Sequence, residues 1–255
     1  MSGAKLLVVN ADDLGRTPGV DAGIFEAHAR GIVTSATLMV GFPAAVAAAA
    51  RLGEFPQLGV GLHVTLTGAR PTLPPERVTS LVDAEGRFAA KPEGLGALEL
   101  SQVLAEVHHQ LARFRELVGR PPTHLDSHHH SHRHPVVLEA LVLVAHEHRL
   151  PVRCSSPAVR ERLVAAGVPT TDSFVERFFG EQATRTVLGE ILAGLLPGST
   201  EIMCHPAHVD AELAASSSYA VPRERELAVL TDPAIRLEVE RLGIRLVGFP
   251  EACAS

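Results

Sequence analysis

Short apolar runs recur along this chain, separated by helical segments, and that alternation restricts the fold more than any other feature. Residues 5–10 (KLLVVN), 33–40 (VTSATLMV), 58–64 (LGVGLHV), 123–128 (THLDSH), 151–154, 200–204 and 244–249 read as strands. The intervals read as helices. Thr17 followed by Pro18 is a helix start, with Gly31 closing that helix. Further helices are expected at 43–52, 101–118, 134–148, 158–166, 184–196 and 223–243, with an ill-defined loop near 170–180. Strands alternating with helices imply parallel βαβ units. No phosphate-binding glycine fingerprint follows the first strand. The expected fold is therefore α/β, a distorted (β/α) TIM-like barrel of about seven parallel strands, with a doubly wound open sheet as second choice.

The 255 residues suit one large domain, 1–255, rather than two small ones. Aromatic residues are only 4% of the chain and Trp is absent, so Ala, Val and Leu must fill the core. Between about 65 and 98 Pro and Gly recur without periodicity. A loop this long in a compact domain is usually a lid or a binding loop. Net charge is −6 with signs interspersed and no basic stripe, which argues against a nucleic-acid partner. No run approaches a membrane span, and the apolar run near the start is too short for a signal peptide. A cytoplasmic location is expected. Cys154, Cys204 and Cys253 form no metal pair and read as reduced thiols.

Position then singles out the chemistry. Asp12 and Asp13 follow the first strand, while His63, His128 and His205 close later ones. In a parallel barrel the C-terminal strand ends share one face, where active sites sit. Two adjacent carboxylates repel when buried without a cation. A divalent metal relieves that cost and divides the labour: one Asp ligates while the other acts as general base toward water. A simple turn is the competing reading of the pair. Of fourteen histidines, five fall between His128 and His134. If the extended geometry persists there, His128 and His130 point the same way. Asp126 is placed either to orient a ligand histidine or to serve as a structural cap. His205, before Pro206, is either the acid that protonates a leaving amine or a structural residue. His28, His108, His109, His146 and His148 fall on helices and read as surface residues. One Asp and two His suit Zn²⁺, Fe²⁺ or similar ions, whereas Mg²⁺ prefers more oxygen ligands. Non-haem iron oxygenases use this set too, but the second Asp argues for hydrolysis.

Four segments together carry a family resemblance: NADDLG at 10–15, GLHVTLT at 61–67, LDSHHH at 125–130 and CHPA at 204–207. In this order the chain resembles the YdjC-like carbohydrate deacetylases, relatives of the polysaccharide deacetylases. The resemblance implies removal of N-acetyl groups from amino sugars or small oligosaccharides, one divalent ion (Mg²⁺ or Zn²⁺) and a homodimer. Residue by residue it implies Asp13, His63 and His128 as ligands, Asp12 as base and His205 as acid; His130 and Asp126 are expected apart from it, to touch substrate or support the ligands. The segment 130–135 (HSHRHP) also fits the metal motif of the wider polysaccharide deacetylases, which would make His130 and His134 the ligands. That motif lies earlier in the wider family's fold, nearer His63, so His63 with His128 is the preferred pair. A metal-dependent hydrolase of a phosphoester or cyclic amide, or a non-enzymatic metal-binding protein, are the competing functions.

Overall fold

A computed structural model describes residues 3–254. The chain runs β1 (Lys5–Leu14), α1 (Pro18–Arg30), β2 (Ser35–Leu38), α2 (Ala45–Arg51), β3 (Gly59–Val64), α3 (Leu100–Val118), β4 (Leu125–Ser127) and α4 (Pro135–His148). It continues with α5 (Pro157–Ala165), β5 (Ser173–Val175), α6 (Arg185–Ala193), β6 (Gly198–Cys204), α7 (Ala211–Ser216), α8 (Val221–Leu230), α9 (Pro233–Arg241), β7 (Ile244–Leu246) and α10 (Phe249–Ala252). The strands form one parallel, seven-stranded sheet in the order β4-β3-β2-β1-β6-β5, with β7 joined to β1.

β1 is the axis of the sheet. Along one side it pairs with β6 from Lys5 to Ala11. Its other side is shared, Lys5–Leu7 with β7 and Asn10–Leu14 with β2. From Leu7 to Leu14 every residue of β1 is buried, as a strand covered on both faces requires. From β4 round to β5 the circuit is closed by isolated contacts rather than a ladder. Val152 bridges Leu125, its N–H donates to the Pro169 carbonyl, and the Asp172 N–H donates to Ser199 Oγ. The result is a curled, incomplete barrel, and the expectation of a distorted TIM-like barrel holds.

Three local expectations fail for identifiable reasons. The strand at 151–154 shrinks to the single bridge at Val152, because Pro151 has no N–H to give a ladder. The helix at 223–243 is broken into α8 and α9 where Pro233 removes a donor and Asp232 Oδ1 caps the Ala234 N–H at 2.8 Å. Within the supposed loop at 170–180 lies β5, a three-residue strand paired only with β6 and too short to show alternation.

Helices and sheet enclose one large apolar core built mainly from Val, Leu and Ala. A second cluster, Val8, Val247, Phe249 and Ala252, lies apart from it. There α10 brings Phe249 flat against the fully buried His124 ring, with centroids 3.6 Å apart. The 65–98 segment is not loose. Leu73, Val78, Leu81 and Phe88 are buried, and Glu106 of α3 accepts from the Thr72 and Leu73 N–H groups at 2.8 and 3.0 Å. No helix among the described residues is long and apolar enough to cross a membrane.

Candidate metal centre and active site

Neighbouring residues of a strand point to opposite faces, yet Asp12 and Asp13 both line one cavity. A β-bulge explains this. Three steps on β1, Ala11 to Leu14, oppose two on β2, Ala36 to Leu38. The extra residue is absorbed at Asp13, whose φ of 72° lies in the left-handed region. A bulky backbone strain of this kind persists where the surroundings enforce it.

On β3 and β4, His63 and Asp126 are register partners. His63 Nδ1 donates to Asp126 Oδ1 at 2.8 Å, which leaves Nε2 facing Asp13. Thr37 of β2 donates to Asp126 Oδ2 at 3.0 Å and fixes that carboxylate in turn. After β4 the chain does not stay extended. His129 and His130 adopt φ of 53° and 52°, so His128 and His130 do not share a side by strand alternation. His128 turns inward to Asp13. His130 stands against Phe174, with its Nε2 3.5 Å from Glu176. His132 is buried against Ser127 Oγ, and His134 caps α4 by accepting from the Val136 N–H.

Asp13 Oδ1, His63 Nε2 and His128 Nδ1 thus form a triangle with edges of 3.1, 3.3 and 3.4 Å. Three donors that each lie about 2.1 Å from one ion are separated by about 3.0–3.4 Å. Asp13 Oδ1 is buried and has no hydrogen-bond partner. Two imidazoles and a carboxylate are the donor set that Zn²⁺ and similar ions take. These residues fit a divalent ion. A second grouping, Asp12, His63 and Asp126, already has its cation: the Arg153 guanidinium lies 2.6 Å from Asp12 and 3.0 Å from Asp126.

The cavity above the triangle is about 870 Å³. His205, following β6, lies on its wall; its Nδ1 makes no hydrogen bond but lies 3.9 Å from Glu226 Oε1, and its backbone N–H donates to Glu226 of α8. The 65–98 segment contributes Gly68 and residues 90–93 to the same wall.

With this geometry in view, similarity to known proteins becomes informative. The family model described as YdjC-like protein matches residues 6–241. This chain belongs to the YdjC-like family. A carbohydrate deacetylase from Geobacillus stearothermophilus is 42% identical over 97% of this chain and 98% of its own length. A chitooligosaccharide deacetylase from Yersinia enterocolitica is 37% identical over 97% of this chain and 99% of its own. A crystal structure from Enterococcus faecalis, described as a candidate cellobiose-phosphate cleavage protein, superposes with a TM-score of 0.91 at 34% identity. It covers 98% of this chain and 99% of that one.

In this YdjC-like protein each of the paired carboxylates is tied to its own arginine. Arg153 clamps Asp12 with two bonds, 2.7 and 2.6 Å, and its Nε donates to Glu201 at 2.7 Å. Arg223 of α8 donates to Asp13 Oδ2 at 2.5 Å. Burial alone would raise both aspartates, but Arg153 lowers Asp12, and Arg223 with His128 lowers Asp13. Both are ionised at neutral pH. Burial works against a charged His63, yet Asp126, Asp13 and Asp12 outweigh it and hold its pKa at about 10. A proton on His63 therefore balances the site's negative charge where an ion would otherwise do so. Burial, with Arg223 adding to it, takes His205 down to about 4.

Sequence reading missed Arg153, Arg223, Glu201, Glu226 and Thr37. Arg153 carried a signal, since an arginine in the apolar run PVRC must meet buried acids to be stable. Glu201 within the β6 run is its counterpart. Arg223 and Glu226 resemble the exposed charges of any polar helix and gave none.

Proposed function

We propose that this protein hydrolyses the N-acetyl group of amino sugars or short oligosaccharides, with Asp13, His63 and His128 holding one divalent ion, Asp12 as general base and His205 as general acid. The carrying observation is the donor triangle on the cavity floor beside a second, arginine-clamped carboxylate. The names of the Geobacillus and Yersinia relatives supply the substrate class. A divalent ion held by Asp13, His63 and His128 would polarise the amide carbonyl and make water more acidic. Two imidazoles and one carboxylate favour Zn²⁺ over Mg²⁺.

Asp12 is ionised and held by Arg153, so it accepts the proton of the attacking water. His205 is neutral at the start, and the proton it passes to the departing amine comes from the same water by way of the site. One proton of the water moves to nitrogen as the C–N bond breaks and the other stays on the new carboxyl group, so acetic acid and the free amine leave with both residues restored, and in solution they ionise to acetate and an ammonium group. Asp126 and Thr37 hold the His63 ring, and Glu226 holds the His205 backbone. The 65–98 segment covers the sugar as part of a single catalytic domain. A homodimer and a cytoplasmic location complete the reading.

The test is acetate release from N,N′-diacetylchitobiose and N-acetylglucosamine by metal-stripped protein, with Zn²⁺, Mg²⁺, Co²⁺ or Fe²⁺ restored in turn. Metal-dependent acetate is expected. Phosphate release from sugar phosphates without acetate from any acetylated sugar would replace this reading with a phosphoester hydrolase.

A further inference from the structure

The chain holds nine Phe, one Tyr and no Trp; five of the Phe are buried, and Phe42, Phe55, Phe174 and Tyr219 are partly buried. Among the described residues Phe179 is the one exposed member of that set, at 42%. A single exposed apolar residue means little by itself. Phe179, however, lines the cavity of the candidate active site and is held there by specific contacts. Tyr219 covers one face of its ring in a parallel stack, with centroids 4.0 Å apart and planes within 6°. The next residue, Gly180, turns at φ 61° and donates its N–H to Tyr219 Oη at 2.7 Å. Tyr219 Oη donates to Glu226, which also accepts the His205 backbone N–H. Ring and histidine are thereby registered through one chain of bonds, and the Phe179 centroid lies 5.5 Å from that of His205.

We propose that the open face of Phe179 is the platform on which a pyranose ring stacks, so that the site selects amides carried on sugar rings over acyclic amides. A pyranose presents C–H groups on its faces and hydroxyls at its edge. A flat aromatic face removes the C–H patch from water without competing for the hydroxyls. Lys91 and Glu93 on the cavity wall offer polar groups to those hydroxyls. An acid must come within hydrogen-bond reach of the nitrogen it protonates, and a sugar stacked beside His205 brings the amine on its ring to that position. Stacking is a claim about binding, and only its catalytic consequence rests on the deacetylase reading.

The test compares wild type with Phe179→Ala, Phe179→Leu and Phe179→Tyr, using calorimetric titration with N,N′-diacetylchitobiose and steady-state kinetics on that saccharide and on N-acetylethanolamine. Phe179→Ala is expected to weaken saccharide binding and raise its KM about tenfold. The kcat/KM preference for the saccharide over the acyclic amide should fall by a similar factor. Phe179→Tyr should retain wild-type binding, and Phe179→Leu, apolar but not flat, should not. Leu matching Phe, or an equal loss on both substrates, would overturn the platform. So would a wild type that binds no saccharide. A wild type that binds without releasing acetate, with binding lost in Phe179→Ala, would leave the platform standing and overturn the deacetylase reading alone.

Discussion

The two halves of the barrel are built differently. From β1 to β4 neighbouring strands pair through ladders broken only by the bulge at Asp13, and the site residues Asp12, Asp13, His63 and Asp126 sit on them, with His128 immediately after. From β4 round to β6 the wall is a single bridge at Val152, a few isolated bonds and the three-residue β5. The regular half supplies the donor triangle. The groups that charge-balance it come from outside those four strands: Arg153 beside Val152 in the irregular wall, Glu201 on β6, and Arg223 with Glu226 on α8. A metal centre needs donors fixed within a few tenths of an ångström, which adjacent strands in register provide. Guanidinium groups reach across from long side chains and tolerate a less regular wall. The lesson is that the wall with few ladder bonds carries Arg153, whose guanidinium ties it to Asp12, Asp126 and Glu201.

The largest expected effect breaks this balance. Arg153→Met leaves Asp12, Asp126 and Glu201 buried without their shared cation, and should cost about 3–5 kcal/mol in urea unfolding. A loss below about 1 kcal/mol would show that the irregular half does not depend on that charge. A smaller change acts on the regular half. Asp126→Asn, which weakens the orientation of His63, should lower metal affinity by about 10–100-fold while the fold persists, as followed by competition with a chelator. Unchanged affinity would remove Asp126 from the account. The smallest effect concerns Asp21 at the start of α1, which accepts the Gly15 N–H. Burial raises its pKa to about 7, against the lowering effects of that N–H and Arg51. The folded state therefore binds this proton more tightly than the unfolded chain, whose value is 3.8. Its contribution is fully present below about pH 4 and is lost as pH rises through 7. Asp21→Asn should gain on wild type by about 1 kcal/mol for each pH unit between those limits. Parallel pH profiles of unfolding free energy would contradict it.

The same division governs what the sequence discloses. β1, β3 and α3 are legible because long apolar periodicity has one structural solution. The expected end of the first strand at residue 10 falls short: β1 runs through Asp12 and Asp13 to Leu14, where pairing with β2 resumes past the bulge. The bulge at Asp13 and the left-handed pair His129–His130 are not legible, because the cost of those conformations is borne by contacts distant in sequence. Short segments such as β5 carry no period at all. Arg223 reaches Asp13 across 210 residues, and no local pattern encodes such a pairing.

The central claim is that the regular half holds one ion at Asp13, His63 and His128. A surface group of His108, Glu147 and His148 offers the obvious competitor, although Arg115 lies 3.2 Å from His148 Nδ1 and opposes a second cation there. The decisive measurement is the number of Zn²⁺ ions retained per chain after dialysis, in wild type, His63→Ala and His148→Gln. One ion in wild type and in His148→Gln, and none in His63→Ala, is the predicted result. An ion that survives His63→Ala, or that is lost with His148→Gln, would contradict the account.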